Sequence, residues 1–319
     1  MTTAFIFPGQ GSQSVGMGKA LFENFSAARA VFGESDEALS QKLADLMFEG
    51  PEVELTLTRN AQPALMTVSM AALKVLQSEC GLDLRHDAAF VAGHSLGEYS
   101  ALCAAGAFDI ANAARLLRLR GEAMQKAVAP GEGAMAALLG LDITAAAEAA
   151  TEAAVHTGKI CGVANDNAPG QVVVSGTKTA VELAIENAKK KGARRAMLLP
   201  VSAPFHCALM QPAADAMAEA LAERPPGAPL TPLVANMEAR ALTDPHAIRN
   251  SLVRQVTGTV RWRESVEHMV AQGVTRFIEV GAGKVLSGLV KRIAETAAVI
   301  NVGTPADVTA FSMTSQAAP

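Results

Sequence analysis

Short apolar runs alternate with longer amphipathic stretches along the first part of the chain. Apolar residues at 5–7 and 88–92 predict two buried strands, and the small-residue stretch at 96–105 predicts a helix directly after the second. Strands separated by helices in this way are typical of an open, largely parallel sheet. The pattern therefore predicts an α/β fold up to about residue 130.

A different order of elements follows at 131–199. The predicted strands are 133–139, 160–164, 171–175 and 195–199, the predicted helices are 143–156 and 178–191, and a turn is expected at 165–170. The order β-α-β-β-α-β is that of the ferredoxin-like unit. We therefore expect a small ferredoxin-like subdomain at 131–199, inserted into a large domain formed by 1–130 and 200–319.

The last part of the chain returns to the first pattern. A helix is predicted at 211–223, followed by a proline-rich crossing and a final strand at 275–280. Residues 304–319 contain few apolar positions, which indicates a short helix followed by a frayed tail.

Composition narrows the class of protein. Half of the 319 residues are apolar, 18% are charged and the net charge is −4, so we expect a compact globular protein without a nucleic-acid partner. The four cysteines are widely spaced, which favours reduced thiols over disulfides or a zinc site. No apolar run is long enough for a membrane span, and a strand begins where a signal peptide would lie. We expect a soluble, cytoplasmic protein, and a monomer.

The strongest candidate for chemistry is Ser95, in Gly93-His94-Ser95-Leu96-Gly97. Gly-x-Ser-x-Gly between a buried strand and a helix matches the nucleophile elbow, in which the turn leaves no room for bulk two residues to either side of the serine. The helix N-terminus behind such a serine favours negative charge. We interpret Ser95 as an acyl-accepting nucleophile; the alternative is a merely structural turn.

A serine nucleophile needs a base, and His206 is the best candidate among the six histidines. It follows a predicted strand and two prolines, between Phe205 and Cys207, which indicates a partly dry site. The alternative is a buried histidine whose hydrogen bonds go to the backbone. His94 adjoins the serine, so its side chain is expected to leave the turn in another direction.

Arg120 lies in the middle of the apolar stripe of a helix predicted over 113–128. Burying a guanidinium without an anion is costly. One interpretation is structural: the side chain reaches solvent or pairs with an internal carboxylate. The other is a bidentate site for the carboxylate of a ligand, a geometry that suits arginine better than lysine.

Three amide side chains are weaker candidates. Gln10 directly follows the first strand, where open α/β sheets place ligand groups, and its amide is suited to an oxyanion hole together with the backbone N–H of Leu96. The alternative for Gln10 is a turn-stabilising role. Gln62 and Asn165 are candidates of the same kind for substrate binding.

Taken together, these motifs resemble the malonyl-CoA:acyl carrier protein transacylases, the acyltransferase family of fatty-acid and polyketide synthesis. The resemblance covers nearly the whole chain and rests on FPGQGSQ at 7–13, QPA at 62–64, GHSLGEY at 93–99, RLRG at 118–121, NAPGQV at 167–172, FH at 205–206, RQV at 254–256 and EVG at 279–281.

The resemblance implies a fold and a set of roles. The fold is an α/β-hydrolase-like large domain with a ferredoxin-like insertion. Ser95 would be the nucleophile and His206 its base, Gln10 and the Leu96 N–H would hold the oxyanion, and Arg120 would bind the malonyl carboxylate. Gln255 matches a residue whose backbone carbonyl orients the histidine.

The resemblance also implies a substrate preference and a reaction. Phe205 is similar to the bulky residue that disfavours a branched methylmalonyl chain. The implied reaction moves malonyl from malonyl-CoA to Ser95 and then to the phosphopantetheine thiol of acyl carrier protein, supplying extender units for fatty-acid synthesis. It needs no metal and no cofactor. The alternatives are a serine thioesterase or esterase, an acyltransferase for another acyl-CoA, and a non-catalytic scaffold.

Overall fold

The computed structural model describes residues 2–316. The strands are β1 (Thr2–Phe7), β2 (Phe90–Gly93), β3 (Gly133–Leu139), β4 (Cys161–Ala168), β5 (Gln171–Thr177), β6 (Arg195–Leu198), β7 (Leu233–Ala235), β8 (Arg240–Leu242), β9 (Val274–Val280) and β10 (Ala298–Val302).

The helices surround two sheets, and within the described residues none is long and apolar enough to cross a membrane. They are α1 (Lys19–Asn24), α2 (Ser26–Leu39), α3 (Leu43–Glu49), α4 (Glu52–Thr56), α5 (Thr58–Cys80), α6 (Leu84–Asp87), α7 (Gly97–Ala104), α8 (Ile110–Lys126), α9 (Ile143–Thr157), α10 (Lys178–Lys190), α11 (Gln211–Glu223), α12 (Pro245–Gln255), α13 (Trp262–Ala271), α14 (Val285–Ile293) and α15 (Pro305–Gln316).

The large sheet has the order β10-β9-β1-β2-β7-β8 and is parallel except for β8, which runs antiparallel to β7. The central strand β1 is buried from Thr3 onward, as expected for a parallel strand with helices on both faces. The carboxyl ends of β1 and β2 lie side by side, with Phe7 opposite Gly93. Gln10 and Ser95, two of the residues that sequence analysis placed in a site, directly follow these two strands.

The small sheet is antiparallel with the order β4-β5-β3-β6, which is the ferredoxin-like arrangement predicted for this segment. Its strands alternate between two apolar surroundings. Ala136, Leu138 and Val174 pack with α9 and α10 in a local core. Met135 and Val173 point to the other side and join the core of the large sheet. The predicted fold class, a parallel α/β sheet with a ferredoxin-like unit, is confirmed.

Two sequence predictions about this fold are wrong. The turn expected at 165–170 is a strand as far as Ala168, because Asn165 and Asp166 pair with β5 and the backbone N–H of Asp166 also donates to the carbonyl of Val260. The strand predicted at 275–280 is not the final one, since β10 follows it and pairs with it in parallel. A helix is confirmed after residue 304, and the tail expected after it lies outside the described residues.

Candidate active site

Ser95 occupies a tight turn between β2 and α7. Its φ of 53° lies in the left-handed region that non-glycine residues rarely adopt. A side chain at Gly93 would place its Cβ 1.9 Å from the carbonyl oxygen of Gly97, and one at Gly97 would lie 2.3 Å from the carbonyl of Phe7. The turn is therefore possible only with both glycines, which is the steric condition of the nucleophile elbow.

The turn brings Ser95 to His206 and Gln255, which lie far away in the sequence. Ser95 Oγ is 2.8 Å from His206 Nε2, and His206 Nδ1 is 2.9 Å from the backbone carbonyl oxygen of Gln255. Because a carbonyl only accepts, the Nδ1 proton is fixed on that side and Nε2 is left free to accept from the serine. No carboxylate completes this chain of hydrogen bonds among the described residues.

His206 is almost completely buried. Burial, and then the nearby positive charge of Arg120, lower the pKa of the imidazole to about 3. The ring is therefore neutral near pH 7 and able to take a proton. The backbone of His206 has a positive φ of 60°. Pro204, two residues before it, packs against Gly133.

Arg120 lies on the buried face of α8, a helix that begins at the capping residue Asp109. The side chain is 1% exposed, so it does not reach solvent. Nor does it pair with a carboxylate of the described residues: it donates to Gln62 Oε1 at 2.8 Å, to Gln255 Oε1 at 2.8 Å and to Ser95 Oγ at 3.1 Å. Neither of the two contacts that the structural interpretation predicted, solvent or an internal carboxylate, is made by Arg120 among the described residues, and its role in binding a ligand stays a prediction. A buried cation beside the serine, held by neutral groups, is suited to a carboxylate ligand.

The oxyanion candidates lie beside the serine turn. The backbone N–H of Leu96 makes no hydrogen bond among the described residues, so it is available to a ligand. Gln10 follows β1, and its Oε1 accepts from Thr58 Oγ1 at 3.0 Å, which leaves its amide nitrogen free. The roles of both residues in holding an oxyanion stay predictions.

The three remaining candidates are placed differently. Gln62 is buried, donates to Thr58 Oγ1 at 2.9 Å and holds Arg120, so its contacts are those of a support for the arginine. Phe205 is buried next to His206. Asn165 lies in β4, and its side chain has no hydrogen bond to this cluster within the described residues.

Two residues that sequence analysis missed complete the cluster. Asn236, just after β7, accepts from the Ser95 N–H at 2.8 Å and donates to the Gly93 carbonyl at 2.7 Å, which holds the strained turn from both ends. Glu98 Oε2 accepts from Gln255 Nε2 at 2.8 Å and from the Asn236 backbone N–H at 3.1 Å. Burial raises the pKa of Glu98 to about 7.

The signal for these two residues in the sequence was weak. Glu98 sits in the first turn of an otherwise uncharged helix, a position that favours an acidic residue for the helix dipole alone. His94 behaves as predicted: its ring leaves the serine turn, and Nε2 lies 2.8 Å from Asn167 Oδ1. No group of three or more metal-ligating side chains is found among the described residues.

Comparisons with known proteins agree with this geometry. The acyl transferase domain family matches residues 4–307. A malonyl CoA-acyl carrier protein transacylase of Bacillus subtilis (strain 168) is 49% identical over 302 residues, which are 95% of this chain and 93% of that protein.

Solved structures of malonyltransferases are also similar to this chain over nearly its whole length. An acyl-carrier-protein-S-malonyltransferase from Bartonella henselae is 55% identical with a TM-score of 0.95, over 98% of this chain and 99% of that one. A malonyl-transacylase in complex with its type II PKS acyl-carrier protein is 43% identical with a TM-score of 0.94, over 98% and 100% of the two chains. The chain described here belongs to the acyl transferase family.

Proposed function

We propose that this acyltransferase moves a malonyl group from malonyl-CoA to the phosphopantetheine thiol of acyl carrier protein, through a malonyl ester on Ser95. The observation that carries the proposal is the contact of Ser95 Oγ with both His206 Nε2 at 2.8 Å and the unpaired cation of Arg120 at 3.1 Å. A base and a carboxylate site thus meet at one hydroxyl. Kinship with malonyltransferases supports the same substrate.

The first half-reaction loads the serine. The malonyl carboxylate binds the guanidinium of Arg120, and this ion pair points the thioester carbonyl at Ser95. Neutral His206 takes the hydroxyl proton as Oγ attacks. The backbone N–H of Leu96 and the amide of Gln10 donate to the oxyanion. The C–S bond then breaks, His206 returns its proton to the leaving thiolate, and CoA departs as the thiol.

The second half-reaction runs the same steps in reverse with a new thiol. His206 takes the proton of the phosphopantetheine thiol, and the sulfur attacks the malonyl-Ser95 carbonyl. The oxyanion is held by the same two donors. When the ester bond breaks, the proton passes from His206 to Ser95 Oγ, and malonyl leaves on the carrier. The Gln255 carbonyl stabilises the protonated imidazole formed in both halves.

The proposal has further parts. The residues of the site supply a nucleophile, a base and an anion site, so the reaction described requires no metal and no cofactor. We propose a cytoplasmic enzyme that acts as a monomer and supplies extender units for fatty-acid synthesis. Light scattering at micromolar concentration tests the monomer, since a dimer would double the measured mass.

Intact mass spectrometry tests the reaction. The protein is mixed briefly with malonyl-CoA, and phosphopantetheinylated acyl carrier protein is then added. We expect a malonyl adduct on the enzyme that is absent in Ser95→Ala and that passes to the carrier. An adduct lost to water at one rate with or without carrier would identify a thioesterase. An adduct formed from acetyl-CoA but not from malonyl-CoA would contradict the role of Arg120.

A further inference from the structure

The side-chain amide of Gln255 lies at the centre of the site and uses both of its ends. Its oxygen accepts from Arg120 Nη2 at 2.8 Å. Its nitrogen donates to Glu98 Oε2 at 2.8 Å and to the Ser95 carbonyl at 3.1 Å. Gln255, Arg120 and Glu98 are buried and Ser95 is half-buried, so an amide turned the wrong way would leave buried polar groups without partners.

The orientation of this amide decides what Arg120 meets. A guanidinium only donates, so it needs the oxygen of Gln255 and is repelled by the NH₂ group. Glu98 has the opposite requirement, since its Oε2 accepts both of the hydrogen bonds that the carboxyl group makes and therefore needs the NH₂ group of Gln255. With Glu98 on one side and Arg120 on the other, a single orientation satisfies both. Glu98 also turns its Oε2 to the backbone N–H of Asn236, which anchors the carboxylate at the serine turn.

We propose that Glu98 is a positioning residue that selects the acyl group: it fixes the Gln255 amide so that its oxygen holds the Arg120 guanidinium in place for a substrate carboxylate. Glu98 touches neither Ser95 Oγ nor the imidazole, so it acts through Gln255. The inference rests on the proposed function, because it assigns Glu98 to the carboxylate site of that reaction.

The contacts of Glu98 allow its hydrogen bonds and its charge to be tested separately. Both hydrogen bonds are accepted by Oε2, while the buried Oε1 has no partner. Glutamine at this position therefore retains an oxygen where Oε2 lies and places its NH₂ group where Oε1 lies. Glu98→Gln keeps the acceptor that orients Gln255, whereas Glu98→Ala removes it. A matched control is Glu279, an equally buried carboxylate that accepts from Leu286 and Ser287 at the start of α14.

The experiment measures kcat/KM for malonyl transfer and for acetyl transfer, and compares their ratio between variants. We expect Glu98→Ala to lower the malonyl-to-acetyl ratio by about tenfold or more, the effect of one lost hydrogen bond to a charged group. Glu98→Gln restores the ratio to within about threefold of the wild type. Glu279→Ala lowers stability and leaves the ratio unchanged. If Glu98→Ala fails to fold, Glu98→Met keeps the side-chain volume and gives the same test.

A double variant tests the route through Gln255. If Glu98 acts only by orienting that amide, Glu98→Ala combined with Gln255→Ala shows the same ratio as Gln255→Ala alone, since the backbone carbonyl that holds His206 is retained. A fall of both transfers by one factor in Glu98→Ala, or a Glu98→Gln variant as impaired as Glu98→Ala, would overturn the inference. Wild-type protein that forms no malonyl adduct would instead overturn the proposed function.

Discussion

At the scale of single residues, the site is held in conformations that the chain would not adopt alone. Ser95 and His206 both have positive φ values, 53° and 60°. Such backbone geometry costs on the order of 1–3 kcal/mol per residue and persists only where the surroundings enforce it. Asn236 enforces it at the serine, and the carbonyl of Gln255 fixes the ring of the histidine. In these conformations Ser95 Oγ and His206 Nε2 lie within hydrogen-bond distance of each other.

The first prediction concerns pH. Because burial and Arg120 lower the pKa of His206 to about 3, the base stays unprotonated as the pH falls through 6.5. We expect kcat/KM for malonyl transfer to be nearly level from pH 8 to pH 5. Protonation of Glu98 at Oε1 leaves its accepted hydrogen bonds intact. A tenfold fall per pH unit below 6.5 would show a histidine with an ordinary pKa.

The second prediction concerns Arg120. Its replacement in Arg120→Ala removes the partner of the malonyl carboxylate, so kcat/KM for malonyl transfer falls by about 10- to 100-fold. Acetyl transfer, which has no carboxylate to bind, stays equal or improves. Arg118→Ala is the matched control on the same helix, with both rates expected within about twofold of wild type. Equal loss of malonyl and acetyl transfer in Arg120→Ala would assign Arg120 a structural role.

The third prediction links Glu98 to stability. Its folded pKa of about 7 lies above the ordinary value of 4.5, so the folded state holds this proton more tightly than the unfolded state. That contribution is complete below pH 4.5 and is lost as the pH rises through 7. Glu98→Gln is therefore expected to stabilise the protein by on the order of 3 kcal/mol more at pH 8 than at pH 4.5. Urea unfolding at the two pH values measures this difference, and a gain equal at both would contradict it.

At the scale of elements, the serine turn depends on close backbone contacts among β1, β2 and α7. A Cβ at Gly97 would lie 2.3 Å from the carbonyl oxygen of Phe7 and 2.9 Å from that of Pro8, both of them main-chain atoms. Neither strand can move without breaking the pairing of Phe7 with Gly93. The elbow is thus a joint property of three elements.

The fourth prediction follows from this contact. Gly97→Ala lowers the free energy of unfolding by about 3 kcal/mol or more and abolishes acylation of Ser95. Gly33→Ala is the control, because Gly33 lies inside α2 and, apart from its chain neighbours and the backbone of its own helix, no atom lies within 4 Å of its added Cβ. That variant gains roughly 0.5–1 kcal/mol and keeps full activity. Comparable unfolding curves for the two variants would refute the steric account of the elbow.

Several elements were predictable from the sequence alone, for identifiable reasons. β3 and α11 have the predicted bounds because their apolar pattern is clear and both ends are marked by turn residues. The predicted strand at 160–164 ends four residues before β4 does, because Asn165–Ala168 has the composition of a turn. Pairing with β5 and with Val260 makes this segment part of the strand. β10 was missed because its five residues carry no clear alternation.

The residues of the site also differ in whether the local sequence reveals them. Ser95 is visible in a local motif, and Arg120 in the conflict between its charge and its apolar helix face. The partners of Asn236 and Glu98 lie up to 157 residues away in the sequence, and contacts over such distances cannot be predicted from a local sequence pattern. Local chemistry is readable from the sequence, whereas the network that orients it requires the fold.

At the scale of the whole molecule, the small sheet is joined to the rest beside the site. Val260 exchanges backbone hydrogen bonds with Ala164 and Asp166 of β4, at 2.8 and 2.9 Å. Arg263 of α13 adds an ion pair of 2.8 Å to Asp166, which is buried. This junction begins a few residues after Gln255, so the segment that orients the histidine is braced by the small sheet.

The fifth prediction measures this junction. Asp166→Ala leaves Arg263 without its buried partner and lowers the free energy of unfolding by about 1–3 kcal/mol. The loss is smaller than for a fully buried pair, because the Arg263 side chain is 23% exposed. Glu267→Ala removes the other, exposed partner of Arg263 and costs less than about 1 kcal/mol. Equal losses in urea unfolding would show that the junction adds nothing.

The separation of Ser95 from its base along the chain has a consequence for synthesis. A ribosome delivers the serine first, the histidine 111 residues later and the carbonyl of Gln255 a further 49 residues on. The central strand β1 pairs with β2 on one edge and with β9 on the other, and β9 is synthesised late, at Val274–Val280. A nascent chain that ends before residue 206 therefore carries Ser95 without its base. The site is therefore complete only after Gln255 and β9 have been synthesised.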